Sequence, residues 1–433
     1  MAAELSVVPD TLKEVNDSIM QMKWFILVMI LISAVCYAEG PLHIVYWRHH
    51  YQQEYLAMKE LIRLFEKQYP TIKIDFMTFP ASVYSTKIVA TLTAGEGPDI
   101  INIHNSWAYG YIRSGLIVPV STQQFAYQKM DQNFFPLAGS FKWHGIYYGV
   151  PIGGANLALF YNKKLFREAG LTSPPHSWEE LLEMAKKLTR RQGNRLLQSG
   201  ASLGMSAGQG WNYFVEGVLR QAGIKKILSD DQQTVMWDNA QGVEALRWYT
   251  NFVTEYKINS LLFPADFDAF RLGLSAMMVN GNWTIGNIKK VAPDLEYGTV
   301  ELPYRQDLKI QASYGTFWAN CVTRKASRKV QKAAWKFIHF ITTYQSMKYW
   351  SNQVGELPMR RDVLKDKVFL QNNPLLSPFI RQMQYSYSSV KKDEREYKAA
   401  ITEAIEQILY NGMSPKQALH MAAKRINTML KRK

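Results

Sequence analysis

Leu42-His43-Ile44-Val45-Tyr46-Trp47 begins a segment of about 60 residues, to Ile103, in which strand and helix periods alternate. This short apolar run predicts a strand. Tyr55, Met58, Ile62, Phe65 and Tyr69 then recur at helical spacing, and Pro70 stops that helix. Ile72, Ile74 and Phe76 alternate with Lys73 and Asp75, the period of a second strand. A further helical stretch carries Ile88 and Leu92, ends at Gly95, and leads into the apolar run Asp99 to Ile103. Strand, helix, strand, helix, strand predicts βαβ units on a parallel sheet, and so an α/β fold. In such sheets ligands bind beyond the carboxyl ends of the strands. Attention therefore falls on Arg48-His49-His50 and on Asn105-Ser106-Trp107, each placed just after a predicted strand.

Outward from this stretch the style continues with new elements. Ser177-Trp178-Glu179-Glu180 is a capping box at the start of a helix. Gly242 to Tyr256, Val330 to Tyr349, Glu394 to Tyr410 and Pro415 to Leu430 read as further helices, the last with Ser414 as cap and Pro415 at its first position. No internal repeat or long linker interrupts them. At 433 residues the chain is far longer than the ~150 residues of a common domain, so two lobes or one large domain are expected. Its 47% apolar and 20% charged residues describe a folded protein. Two cysteines, Cys36 and Cys321, exclude a disulfide framework and a four-cysteine zinc site. The formal charge of +15 favours an anionic ligand, membrane surface or nucleic acid without speaking to the fold.

The start of the chain reads as an export signal. Lys23 precedes the apolar run Trp24 to Val35, and Cys36-Tyr37-Ala38 is a small-residue end, so residues 1–38 are expected to be removed by cleavage after Ala38. That run is too short for a ~30 Å hydrocarbon core. The acidic residues Glu4, Asp10, Glu14 and Asp17 do not suit a signal, which makes residues 1–21 a candidate misassigned start. Cleavage just before Cys36 would instead give a lipoprotein, although Val35 is bulky where a small residue is wanted.

Several chemical motifs are weak in context. Gly204-Met205-Ser206-Ala207-Gly208 matches a nucleophile elbow, but Gln209-Gly210 stands where the helix should begin, so a turn is the better reading and Ser206 hydrolysis the alternative. His49 and His50 point to opposite sides in extended backbone and cannot easily share a metal, and no paired-ligand spacing supports them. Neither metal nor other cofactor is expected, and Cys321 reads as a core residue. The aromatics are more informative: 12 Trp, 24 Tyr and 20 Phe. Most must be core. Yet Trp107, Trp211, Trp283 and Trp318 lie beside amides or glycines in segments that read as loops. Flat rings flanked by amides suit a sugar, apolar on its faces and polar around its rim. The basic residues are spread through helices without a clustered tract, which argues against nucleic acid.

The order of motifs resembles the extracellular solute-binding proteins of bacterial ABC transporters, in the sugar-binding group that includes maltose-binding and glycerol-3-phosphate-binding proteins. The resemblance runs from about Leu42 to Leu430. It rests on Tyr46-Trp47, Phe65-Glu66-Lys67-Gln68-Tyr69-Pro70, Gly97-Pro98-Asp99-Ile100, Tyr148-Gly149-Val150-Pro151 and Leu159-Phe160-Tyr161-Asn162 with Ala169-Gly170-Leu171. Trp178-Glu179-Glu180-Leu181, Arg271-Leu272-Gly273-Leu274 and Ala333-Ala334-Trp335-Lys336 complete it. It implies a type II periplasmic binding protein fold: two discontinuous α/β lobes joined by three hinge crossings, near Val150 to Ala155, Tyr297 to Pro303 and Gln345 to Asn352. The lobes implied are 39–150 plus 304–348, and 151–303 plus 349–433. The cleft between them would be lined by His49, His50, Asn105, Trp107, Asn156, Trp211, Asn282, Trp283, Tyr314 and Trp318.

Function follows as expectation. A non-enzymatic receptor, periplasmic or extracellular and monomeric, would capture a carbohydrate by hinge closure and deliver it to an ABC permease. Arg48, His49 and His50 are more basic than many sugar binders show here, which keeps an acidic sugar or a glycerophosphodiester open as the ligand.

Overall fold

The computed structural model describes Met20, residues 22–24, 40–205, 210–389 and 391–432. Cys36, Ala38 and Ser206 lie outside the described residues, as does most of the export signal. The elements that place the site are strands β1 (Leu42–His49), β2 (Ile72–Phe79), β3 (Ile100–His104), β4 (Val150–Asn162), β5 (Met277–Gly281), β6 (Tyr297–Val300), β7 (Ser313–Val322), β8 (Leu357–Pro358) and β9 (Ser386–Tyr387). The helices needed here are α1 (Gln52–Gln68), α2 (Ala81–Thr93), α3 (Trp178–Leu188), α4 (Ala240–Thr254), α5 (Trp283–Val291), α6 (Arg328–Ile341), α7 (Tyr344–Val354), α8 (Glu394–Asn411) and α9 (Pro415–Leu430).

β1 lies between β2 and β3 and is parallel to both, as the βαβ reading requires. The sheet continues in the order β6–β4–β7–β3–β1–β2, with β5 and β8 also pairing β4 and β9 pairing β7. β1 outruns its predicted end because its register with β2 holds from Leu42 opposite Ile72 to His49 opposite Phe79. Arg48 and His49 are therefore strand residues rather than loop residues. The single helix expected over Val330 to Tyr349 is two. Thr343 takes extended backbone and its side chain accepts from Ser346 N–H, which caps α7 and ends α6.

Two apolar cores form. The first gathers Ile44, Tyr46, Ile101, Phe317, Trp335 and Trp350, and extends to Phe160 and Phe379. The second gathers Leu157, Trp178, Phe214, Tyr249, Ile401 and Ile426. β4 runs between them: Val150 to Asn156 pairs with β7, and Leu157 to Tyr161 pairs with β5. β7 does the same, with a bulge between Phe317 and Ala319. The segment Gln345 to Asn352 lies within α7, and the chain turns after it at Gly355, whose φ of 82° suits glycine. Gly153 lets Glu356 and Trp350 pack directly on the β4 backbone, where a Cβ would collide with both.

Candidate functional site: a cleft walled by aromatic rings

A cavity of about 1350 Å³ opens where β1 and β3 end. α2, the residues after β3, β7 and the segments beginning at Trp211, Trp283 and Lys391 wall it, with Trp107 and Trp318 packed on the first core and Trp211 and Tyr314 in the second. Five of the ten residues singled out by sequence line it: Trp107, Trp211, Trp283, Tyr314 and Trp318. They are not loop residues. Trp107 closes a single turn after β3, Trp211 and Trp283 stand in the first turns of helices, and Tyr314 and Trp318 lie on β7. Elements that end or begin at the cleft fix these rings more rigidly than loops would.

Trp318 is the centre of one wall. The His49 imidazole packs behind it, tilted by 36° with centroids 3.9 Å apart, and Trp107 meets it edge-on at 5.3 Å. Trp283 lies across Gly281, where a Cβ would overlap its indole, and stays 38% exposed. Trp211 is buried and tilts against Tyr397 of α8. Tyr111 lines the same cavity, with its hydroxyl turned toward the core and without a hydrogen-bond partner among the described residues.

The other five expected ligand residues do not line this cavity. His50 points away from it, exposed, with Nδ1 2.9 Å from the Thr78 hydroxyl. His49 is buried behind Trp318, its Nε2 3.1 Å from Glu54. Asn105 is buried, and its Oδ1 accepts from the Thr316 hydroxyl and Phe317 N–H. Asn156 donates from its side chain to Phe379 O and Ser386 Oγ, and its backbone N–H donates to Asn282 Oδ1. Asn282 Nδ2 in turn donates to Gly355 O. These two asparagines tie β4, β5 and the turn after α7 together. An amide satisfies otherwise orphaned backbone groups where strands separate, and the same chemistry suggested a ligand contact from sequence.

Arg48 also stays out of the cleft. Fully buried, it donates from Nε and Nη2 to Glu54 Oε2, at 3.0 and 2.5 Å, and covers the Trp350 ring. Burial pushes the Glu54 carboxyl up, but Arg48 and His49 outweigh that and hold it at about 2. Glu356, behind the same cluster, is pushed up to about 7 by burial and by Glu54. Burial also lowers His49, so a neutral imidazole supports Trp318.

Sequence reading missed a polar line across the cleft. His104 Nε2 lies 2.5 Å from Thr316 Oγ1 and its Nδ1 2.6 Å from Ser106 Oγ, and Ser106 donates to Glu394 Oε2 at 2.6 Å. Ser106 belongs to the β3 side and Glu394 opens α8, so this hydrogen bond joins the two walls. Burial lowers His104 to about 4, which keeps the imidazole neutral as a link in the line. Among the described residues no group of three or more His, Cys, Asp or Glu could hold a metal ion, and no helix is long and apolar enough to cross a membrane.

A cleft between two cores, spanned by continuous strands and walled by aromatic rings, defines a two-lobed solute receptor. The chain belongs to the bacterial extracellular solute-binding protein family, whose model matches residues 60–378. It is 23% identical over 379 residues to the maltotriose-binding protein of Pyrococcus abyssi, covering 86% of this chain and 78% of that one. It is 22% identical over 371 residues to the sn-glycerol-3-phosphate-binding periplasmic protein of Escherichia coli K12, covering 79% and 82%. Among solved structures, the cyclic α-maltosyl-1,6-maltose binding protein from Arthrobacter globiformis superposes with a TM-score of 0.80 at 24% identity, covering 90% of this chain and all of that one. The fold is the type II periplasmic binding protein fold. The family consists of extracellular binding proteins, not enzymes, and gives the Ser206 hydrolase alternative no support.

Proposed function

We propose that this protein captures an oligosaccharide in the interlobe cleft and presents it to an ABC import permease. The observation that carries this reading is the convergence on one cavity of Trp107 and Trp318, packed on the first core, with Trp211 and Tyr314 of the second core, and with Trp283 between the element ends. Rings from both sides stack on sugar faces. The cavity exceeds the roughly 300–1,000 Å³ of common small-molecule pockets, which favours several sugar rings over one. The names of the relatives, which bind maltotriose and cyclic maltosyl-maltose, support the same class of ligand.

In this reading the leader is removed after Ala38, the mature chain acts as a monomer without nucleic acid or cofactor, and the lobes divide as 39–150 plus 304–348 and 151–303 plus 349–433. Intact mass of the exported protein tests the processing: Glu39 should be its first residue, and a lipid-modified Cys36 would replace that with an anchored form. Titration calorimetry with linear and cyclic maltodextrins, uronic-acid oligosaccharides and sugar phosphates tests the binding. Saturable one-to-one binding of a saccharide is expected. Absence of binding across the panel by folded protein would overturn the proposal.

A further inference from the structure

The basic residues that drew attention in the sequence bring no charge to the cleft, because Glu54 neutralises Arg48 inside the first core. A different set does. Lys391 lies on the cavity wall yet is only 3% exposed, with Nζ 5.3 Å from the Trp211 ring centre and 5.8 Å from that of Tyr314. Its polar contacts are long, 3.5 Å to Ser389 O and 3.6 Å to Glu216 Oε1. Glu216 is already engaged by Arg220 at 3.1 Å and by the N–H and hydroxyl of Ser389 at 2.6 and 3.1 Å. One buried carboxylate thus faces two cations, so Lys391 shares its nearest counter-charge with Arg220 and is held to it only at long range. Burial of a charge without full pairing is costly, and an ammonium has three donors to satisfy.

Arg395 and Lys398 extend this charge along α8. They line the same cavity at i, i+3 spacing, which places them on one face. Neither forms an ion pair among the described residues. Asp393 and Glu394 line the same cavity, Asp393 accepting from Glu396 N–H at 3.0 Å and Glu394 from Ser106, so Lys391, Lys392, Arg395 and Lys398 outnumber the carboxylates of this segment four to two.

We infer that Lys391, Arg395 and Lys398 form an anion subsite within the sugar cleft, so that the receptor prefers a saccharide bearing a carboxylate or phosphate over a neutral one of the same shape. The inference rests on the carbohydrate reading above and specifies its ligand class. The aromatic rings hold the sugar faces, and the subsite takes the charged substituent.

The test uses the exported chain and titration calorimetry with uronic-acid oligosaccharides, their methyl esters, maltose 1-phosphate and maltotriose. An ester keeps the shape of its acid and removes the charge. An acid should bind at least about tenfold more tightly than its ester, or maltose 1-phosphate at least about tenfold more tightly than any neutral probe, a difference of ~1.4 kcal/mol. Which of the two is favoured identifies carboxylate or phosphate as the source of charge. The preference should shrink between about 0.01 and about 1 M salt, as the screening length falls from roughly 30 to roughly 3 Å. Arg395→Gln with Lys398→Gln, both at exposed positions, should reduce the preference severalfold, and so should Lys391→Met if it folds. Equal affinity for charged and neutral probes would overturn the inference while leaving the carbohydrate reading intact. A preference that survives both sets of substitutions would overturn the subsite. Failure of every saccharide to bind would overturn the carbohydrate reading itself.

Discussion

Replacing Trp283 by alanine separates recognition from folding. Its indole lines the cavity, lies across Gly281 and keeps 38% of its surface exposed, and it belongs to neither apolar core. Truncating a well-packed aromatic anchor costs upward of ~2 kcal/mol of binding, and 1.4 kcal/mol is a factor of ten, so saccharide affinity should fall roughly thirtyfold. Stability of the free protein should fall by less than the ~3–5 kcal/mol that loss of a core tryptophan costs. Trp335→Ala is the counterpart: 2% exposed and within the first core, it should show that full cost. Trp211→Ala should show both losses, since the ring lines the cavity but is 5% exposed and packs on Tyr397. Calorimetric titration gives the affinities, and urea unfolding without ligand gives the stabilities. Unchanged affinity in Trp211→Ala, Trp283→Ala and Trp318→Ala would refute the stacking argument.

Gly281→Ala should weaken saccharide binding about as much as Trp283→Ala, because the added Cβ displaces the indole; calorimetry showing native affinity would contradict this. Ser106→Ala removes the hydrogen bond to Glu394 that joins the walls, worth ~1.5–3 kcal/mol for a charged acceptor, so ligand-free protein should show a larger radius in small-angle scattering. Scattering identical to the parent would deny the bridge that role. The raised Glu356 carboxyl holds its proton better in the folded state, so it contributes stability below about 4.5 that is lost as pH rises through about 7. Urea midpoints should show Glu356→Gln gaining relative to the parent between pH 5 and pH 8, and parallel profiles would refute that. His104 has the opposite sign: lowered to about 4, it contributes stability above about 6.5 that is lost as pH falls toward 4. His104→Gln should flatten that acid limb.

The fold was legible because its signals are local. Alternation in Ile72 to Phe76, the helical spacing from Tyr55 to Tyr69 and the capping box at Ser177 each report a single element, and each element formed. Half of the capping box is made as read, with Glu180 N–H donating to Ser177 Oγ, while the Glu180 carboxylate accepts from His176 N–H, one residue before the cap, instead of from Ser177 N–H. The site was legible in part. A tryptophan beside an amide at an element's end marks a cleft ring, and Trp107, Trp211 and Trp283 were found that way. Amides gave no such discrimination: Asn156 and Asn282 satisfy backbone groups between strands, while Asn105 holds Thr316, and in sequence all three resemble sugar ligands. His49 and His50 illustrate the limit of strand alternation, which separated them correctly but could not say that Glu54 would hold the inner one. The run Lys391 to Arg395 read only as the approach to a helix. Its place opposite Ser106 comes from a contact 288 residues apart in sequence, which no local pattern encodes.

Thermal unfolding of the exported protein against a saccharide panel decides whether the cleft holds a sugar. A ligand that binds the folded cleft stabilises it with the logarithm of its free concentration over its dissociation constant, by about 2.7 kcal/mol at 100 times that constant. At least one oligosaccharide should raise the melting temperature in a concentration-dependent way, and Trp283→Ala, melting near the parent without ligand, should lose most of that rise. A panel that leaves the melting temperature of the parent unchanged, or a rise that Trp283→Ala, Trp211→Ala and Trp318→Ala all retain in full, would contradict it.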